Sequence, residues 1–358
     1  MSTADLTLNQ RVRVALSREG ARAGFPSTPR WFVPVLALVA IWGEVGLYID
    51  GWYHWHYVID TFFTGPHLII YSSGLTGVAI FGVVALRNMW RGFPLWRSVP
   101  DGYQLSLVGC ALFPVGGVSD YIWHAIFGFE RILPIWSMSH MLIFFAAALI
   151  MSGPVRAAWR SRRTRLTWPE TIATGMVLSQ LTFSIVYTNP FVDVWATGYK
   201  PVSGAVYLEE LGTLSILVQA ALLTGFVLLL LSRFQLPFGA LTLMVGANVA
   251  LVYLLNFHLW TIPLAIVAGL ALDEIRWILK PSAVRPREYR MFAIVFPMVI
   301  YFLYFLYLKL TTGVWWEVYV WTGMIVGVGF LGYLLSLLVV PPRSGLVESA
   351  AVPDAKER

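Results

Sequence analysis

The chain has 358 residues, 58% of them hydrophobic and only 12% charged, with a formal net charge of +6. A mean hydropathy of +0.70 excludes an ordinary soluble domain and leaves an all-α polytopic helix bundle in a membrane. A single cysteine, Cys110, excludes a disulfide framework and any metal site built from several thiolates.

Residues 1–30 carry five arginines and no apolar core of their own, which predicts a cytoplasmic basic arm lying on anionic headgroups. Ten apolar segments of spanning length follow, at approximately 31–50, 67–86, 103–124, 137–154, 170–188, 207–232, 237–256, 258–279, 291–310 and 314–340. They divide into a four-helix region over 31–155 and a six-helix region over 156–340. The polar stretch 341–358 is expected to be a disordered cytoplasmic tail.

Basic residues set the expected orientation. With both termini in the cytoplasm, 22 of the 25 Lys and Arg residues fall in cytoplasmic segments, and only Arg131, Lys200 and Lys309 fall elsewhere. The same distribution accounts for the pI near 9.4 as topology, so no nucleic-acid partner is implied; the partner is membrane lipid. All six histidines then lie toward the extracytoplasmic face.

Five of those six histidines fall in two short stretches of the four-helix region. Asp50, His54 and His67 stand at relative positions 0, +4 and +17; Asp120, His124 and His140 stand at 0, +4 and +20. Residues i and i+4 share a helix face, and the second histidine of each set opens the next apolar segment. Two hairpins, each with a carboxylate and two imidazoles at its mouth, predict a pair of metal sites related by a duplication of about 70 residues. Ionisable groups at membrane depth are costly and mark functional sites. Two histidines and one carboxylate with open positions suit non-haem iron or zinc as readily as copper.

Three further residues have less defined expectations. His56 lies two residues past His54 and takes an orienting or solvent-facing role. Glu130, on the second hairpin loop, is either an orienting partner or a plain surface carboxylate. His258 either completes a site from the second half of the chain or makes a packing hydrogen bond. Trp52, Trp55 and Trp123 fit an interfacial aromatic belt. No Walker-type loop, dinucleotide fingerprint or Ser/His/Asp set is present.

The segment Asp50-Gly51-x-x-His54, followed by Asp60-Thr61-x-Phe63-Thr64-x-x-His67, resembles the copper-binding stretch of a transmembrane subunit of the particulate methane and ammonia monooxygenases. That family carries Asp-x3-His-x12-His, the spacing present here. Asp120, His124 and His140 match its second ligand set, with Asp where the family has Asn and a last gap two residues longer. The resemblance covers about residues 31–155. It implies copper as cofactor, O2 and a quinol-type electron donor as partners, and further monooxygenase-type subunits. The expected activity is oxidation of a small apolar or ammonia-like substrate at an outer-face site of a bacterial or archaeal cell membrane. The alternative is a non-catalytic copper-binding, storage or delivery protein, or a structural subunit. No ladder of His, Met or Cys runs through the membrane depth to carry metal across.

Overall fold

A computed structural model of the chain describes residues 24–57, 63–128 and 134–342. Most of the expected basic arm, the tail from residue 343, Asp60 and Glu130 lie outside the described residues. The described chain is helical: α1 (Phe32–His56), α2 (Gly65–Met89), α3 (Gln104–Phe127), α4 (Met138–Met151), α5 (Gly153–Arg160), α6 (Trp168–Ser184), α7 (Ala205–Arg233), α8 (Ala240–Asn256), α9 (Thr261–Leu279), α10 (Pro286–Thr311) and α11 (Val318–Val339).

Among the described residues six helices, α1, α2, α3, α7, α10 and α11, are long and apolar enough to cross a membrane. The chain is an integral membrane protein on this ground. A seventh crossing is counted if α4 and α5 form one span, bent by 43° at Ser152. Pro154, in the first turn of α5, has no N–H to continue the α4 ladder. The remaining expected segments also fall on helices but meet a weaker case for crossing. Helices α6 and α8 have 17 residues each, and α9 carries Asp273, Glu274 and Arg276 within its 19.

Local sequence explains where these helices start. Thr64 caps α2 with Pro66 in the first turn, Ser137 caps α4, and Thr167 with Glu170 forms a reciprocal capping box at α6. At α8 the capping carboxylate comes from another helix. Asp273 of α9 accepts from the backbone of Leu241 and Thr242 and from the Thr242 hydroxyl.

Two apolar cores result. One joins α1 to α4 around Phe32, Phe81, Tyr103 and Phe113; the other joins α1 to α6 and the following helices around Tyr48, Phe183, Met244 and Tyr301. Helix α1 belongs to both, and it packs against α2, α6 and α8. Its end nearest the ligands is possible because residue 51 is glycine: a Cβ there would stand 2.8 Å from the Phe183 ring and 3.1 Å from Leu255. The last turns of α1, α6 and α8 therefore meet at one end of the bundle.

Candidate metal centre

The duplicated hairpins place their ligands by the same local device. Each carboxylate sits in the penultimate turns of the first helix, with a histidine one turn on. Each second histidine occupies the third position of the next helix, where its backbone N–H is accepted by the capping hydroxyl, Thr64 for His67 at 3.5 Å and Ser137 for His140 at 3.3 Å. The cap fixes where the helix begins, and the helix start fixes the imidazole.

The structure brings together both expected triads. Asp50, His54 and His67 form one cluster and Asp120, His124 and His140 another, with ligand atoms in each within 4.8 Å of one another. In the first, Asp50 Oδ2 lies 3.3 Å from His54 Nε2 and Oδ1 lies 3.4 Å from His67 Nε2. In the second, Asp120 Oδ1 lies 3.3 Å from His140 Nε2 and 3.7 Å from His124 Nε2. A charge-assisted N–H to carboxylate bond is shorter, about 2.7–2.9 Å. Two donors each about 2.1 Å from one tetrahedral ion stand about 3.4 Å apart. The separations match the edges of a coordination shell better than they match hydrogen bonds, so the donor set fits a metal.

Burial supports the same assignment. Asp50 is 7% exposed, Asp120 0% and His67 2%, and no lysine or arginine makes an ion pair with either carboxylate among the described residues. The His67 and His124 rings are 6.3 Å apart between centroids, so the clusters are neighbours. They flank a cavity of about 50 Å³ lined by Asp50, His54, His67, Tyr71 and His140 and walled by Ile143, Phe144 and Phe183. A second cavity of about 60 Å³ shares Leu47, Ile70, Ile143 and Phe144 with it and extends along α1 past Glu44.

Residues outside the triads orient the second cluster. Tyr71 donates to Asp120 Oδ2 at 2.6 Å and Ser139 donates to Oδ1 at 2.9 Å. The Ser137 hydroxyl lies 2.8 Å from His140 Nδ1. His124 Nδ1 faces the Gly128 carbonyl at 3.3 Å; a carbonyl only accepts, so that nitrogen carries the proton and Nε2 keeps the lone pair toward the cluster. Sequence reasoning missed Tyr71, Ser137 and Ser139. Tyr71 lies four residues beyond His67, a spacing that marks it as facing the same way, but its partner is on another helix.

None of the three secondary candidates joins a cluster among the described residues. His56 is exposed, stacks on Trp52 and places Nδ1 2.8 Å from the Trp52 carbonyl. His258 belongs to neither cluster. Its backbone N–H donates to Asn256. Partial burial raises the nearby Asp193 carboxyl above its ordinary range, and the charge of His258 offsets part of that shift. Glu130 lies outside the described residues. Comparison with protein-family models, curated proteins and solved structures gives no match to this chain.

Proposed function

We propose that this is a copper-binding integral membrane protein that holds metal at both clusters and oxidises a small apolar or ammonia-like substrate with O2. The observation carrying the metal reading is the pair of buried carboxylate and imidazole sets whose 3.3–3.7 Å separations match coordination edges. Asp50, His54 and His67 would hold one ion, and Asp120, His124 and His140 the other. Copper, once bound, supplies the one-electron chemistry that O2 reduction requires, and its choice over iron or zinc rests on the motif resemblance to the copper membrane monooxygenases. Ile143, Phe144 and Phe183 exclude water from the cavity between the clusters, and Tyr71 and Ser139 hold the Asp120 carboxylate in place. A quinol-type donor supplies the electrons, and further monooxygenase-type subunits are the expected partners.

The membrane arrangement belongs to the same proposal: ten crossings, both termini cytoplasmic and both clusters extracytoplasmic. The 22-to-3 partition of basic residues supports it.

The test is metal analysis of the purified full chain after loading with copper. Wild type is expected to carry two ions, with His67→Ala and His140→Ala each losing one. Full metal content in both variants would overturn the reading. Two bound ions without quinol-dependent O2 uptake would favour the storage or delivery alternative over catalysis.

A further inference from the structure

The opposite end of the bundle carries a second feature of a different kind. A cavity of about 720 Å³ opens between the C-terminal ends of α7 and α9 and the turn into α10. Five cations line it, Arg165, Arg233, Arg276, Lys280 and Arg285, and no carboxylate does. Two of the five are already committed. Arg276 pairs with Asp273 at 3.2 Å and donates to the carbonyls of Leu236 and Pro237, and Arg285 pairs with Glu288 at 2.7 Å.

The other three have no carboxylate partner among the described residues. Arg165 donates only to the neutral amide oxygen of Gln235. Lys280 makes no ion pair, and the Nε of Arg233 is buried without an acceptor. Helix C-termini do favour cations, which accounts for basic residues at the ends of α7 and α9. It does not account for a guanidinium N–H buried with nothing to accept it, since such a group costs stability until an acceptor arrives. Three uncompensated positive charges around one cavity call for an anion with several acceptor oxygens, and phosphate is the group that guanidinium and ammonium donors fit.

The rim identifies the source of that phosphate. Trp277 is 60% exposed, Ile278 66% and Val284 81%, and Phe238 stands edge-on to Trp277 at 6.2 Å. Apolar side chains beside a basic cavity at a helix end, with an aromatic pair at interfacial depth, fit acyl chains below a headgroup. We propose that this cavity is a binding site for an anionic phospholipid, its phosphate held by Arg233, Lys280 and Arg165 and its acyl chains lying along Trp277 and Ile278. This site does not depend on the metal reading.

The full chain in nanodiscs of mixed phosphatidylglycerol and phosphatidylcholine, released for native mass spectrometry, tests it. Wild type is expected to retain phosphatidylglycerol preferentially. Arg233→Gln and Lys280→Gln should each weaken that retention about fivefold, the effect of one interfacial charge, and Lys280→Arg should preserve it. Lys280 is exposed, so its variant keeps the fold, checked by a single gel-filtration species. Equal retention of the two lipids, or no change in either Gln variant, would overturn the proposal. So would inorganic phosphate raising the thermal midpoint as effectively as short-chain phosphatidylglycerol, because the cavity would then be an anion site with no use for acyl chains.

Discussion

Asp50 and Asp120 occupy equivalent places in two hairpins, yet two hydroxyl groups separate their environments. Asp120 is clamped by Tyr71 and Ser139, whereas the side chains set against Asp50 are the two imidazoles of its own cluster. The difference follows from the repeat itself. Four residues after His67 comes Tyr71, and four after His140 comes Phe144, which walls the cavity without offering a donor. Partners of this kind orient a ligand, and their loss costs about 10- to 100-fold in metal affinity. Tyr71→Phe is therefore expected to weaken the second site by at least about tenfold and to leave the first unchanged, as followed by copper titration against a competing chelator. Identical curves for the two proteins would remove Tyr71 from the site. The triads were legible in the sequence because each carboxylate and its near histidine share one helix face. The clamp was not, because Tyr71 and Asp120 meet across α2 and α3, and spacing along one chain segment carries no information about pairing between helices.

Between elements, close approach depends on small residues and one buried ion pair. Gly332 of α11 has no room for a side chain, since a Cβ would lie 2.0 Å from the Ala293 carbonyl oxygen of α10. Gly332→Ala must push the two helices apart, an overpacking cost of about 1–3 kcal/mol, visible as a lowered thermal midpoint in detergent. Asp273 does more. It caps α8 through Leu241 and Thr242 and balances Arg276, so Asp273→Ala strands both a helix terminus and a buried guanidinium. Breaking such a pair costs about 3–5 kcal/mol; a midpoint within about a degree of wild type would show that water or lipid replaces the carboxylate. The apolar runs located the helices, and the caps at Thr64 and Ser137 are readable as polar residues just before them. The bend at Ser152 is invisible to hydropathy, which continues across it while Pro154 breaks the hydrogen-bond ladder. Residues 258–279 read as a span from their apolar first turns, and the charged cluster near their end is internal packing with α8.

At the scale of the whole molecule, the two ends of the bundle differ in chemistry. The end formed by the last turns of α1, α3, α6 and α8 gathers the carboxylate and imidazole clusters, with Phe183 and Leu255 packed beneath Gly51. The other end gathers Arg163 with Glu170, Arg165 with Gln235, and the cations around Arg276. Such a polarity is what the positive-inside rule produces when the basic end faces the cytoplasm, and it gives a direct test of orientation. Phe127 and Val202 are exposed at the cluster end, and Arg162 and Val284 are exposed at the basic end. The native Cys110 is buried, so it contributes little background to thiol labelling. In intact cells, Phe127→Cys and Val202→Cys are expected to react with a membrane-impermeant maleimide, while Arg162→Cys and Val284→Cys react only after permeabilisation. Labelling on opposite schedules at Phe127 and Val202 would mean that the chain crosses the membrane an odd number of times between α3 and α7. Reversed labelling of all four would place the metal clusters in the cytoplasm, where the copper and O2 chemistry proposed for them would have to draw on cytoplasmic metal and reductant.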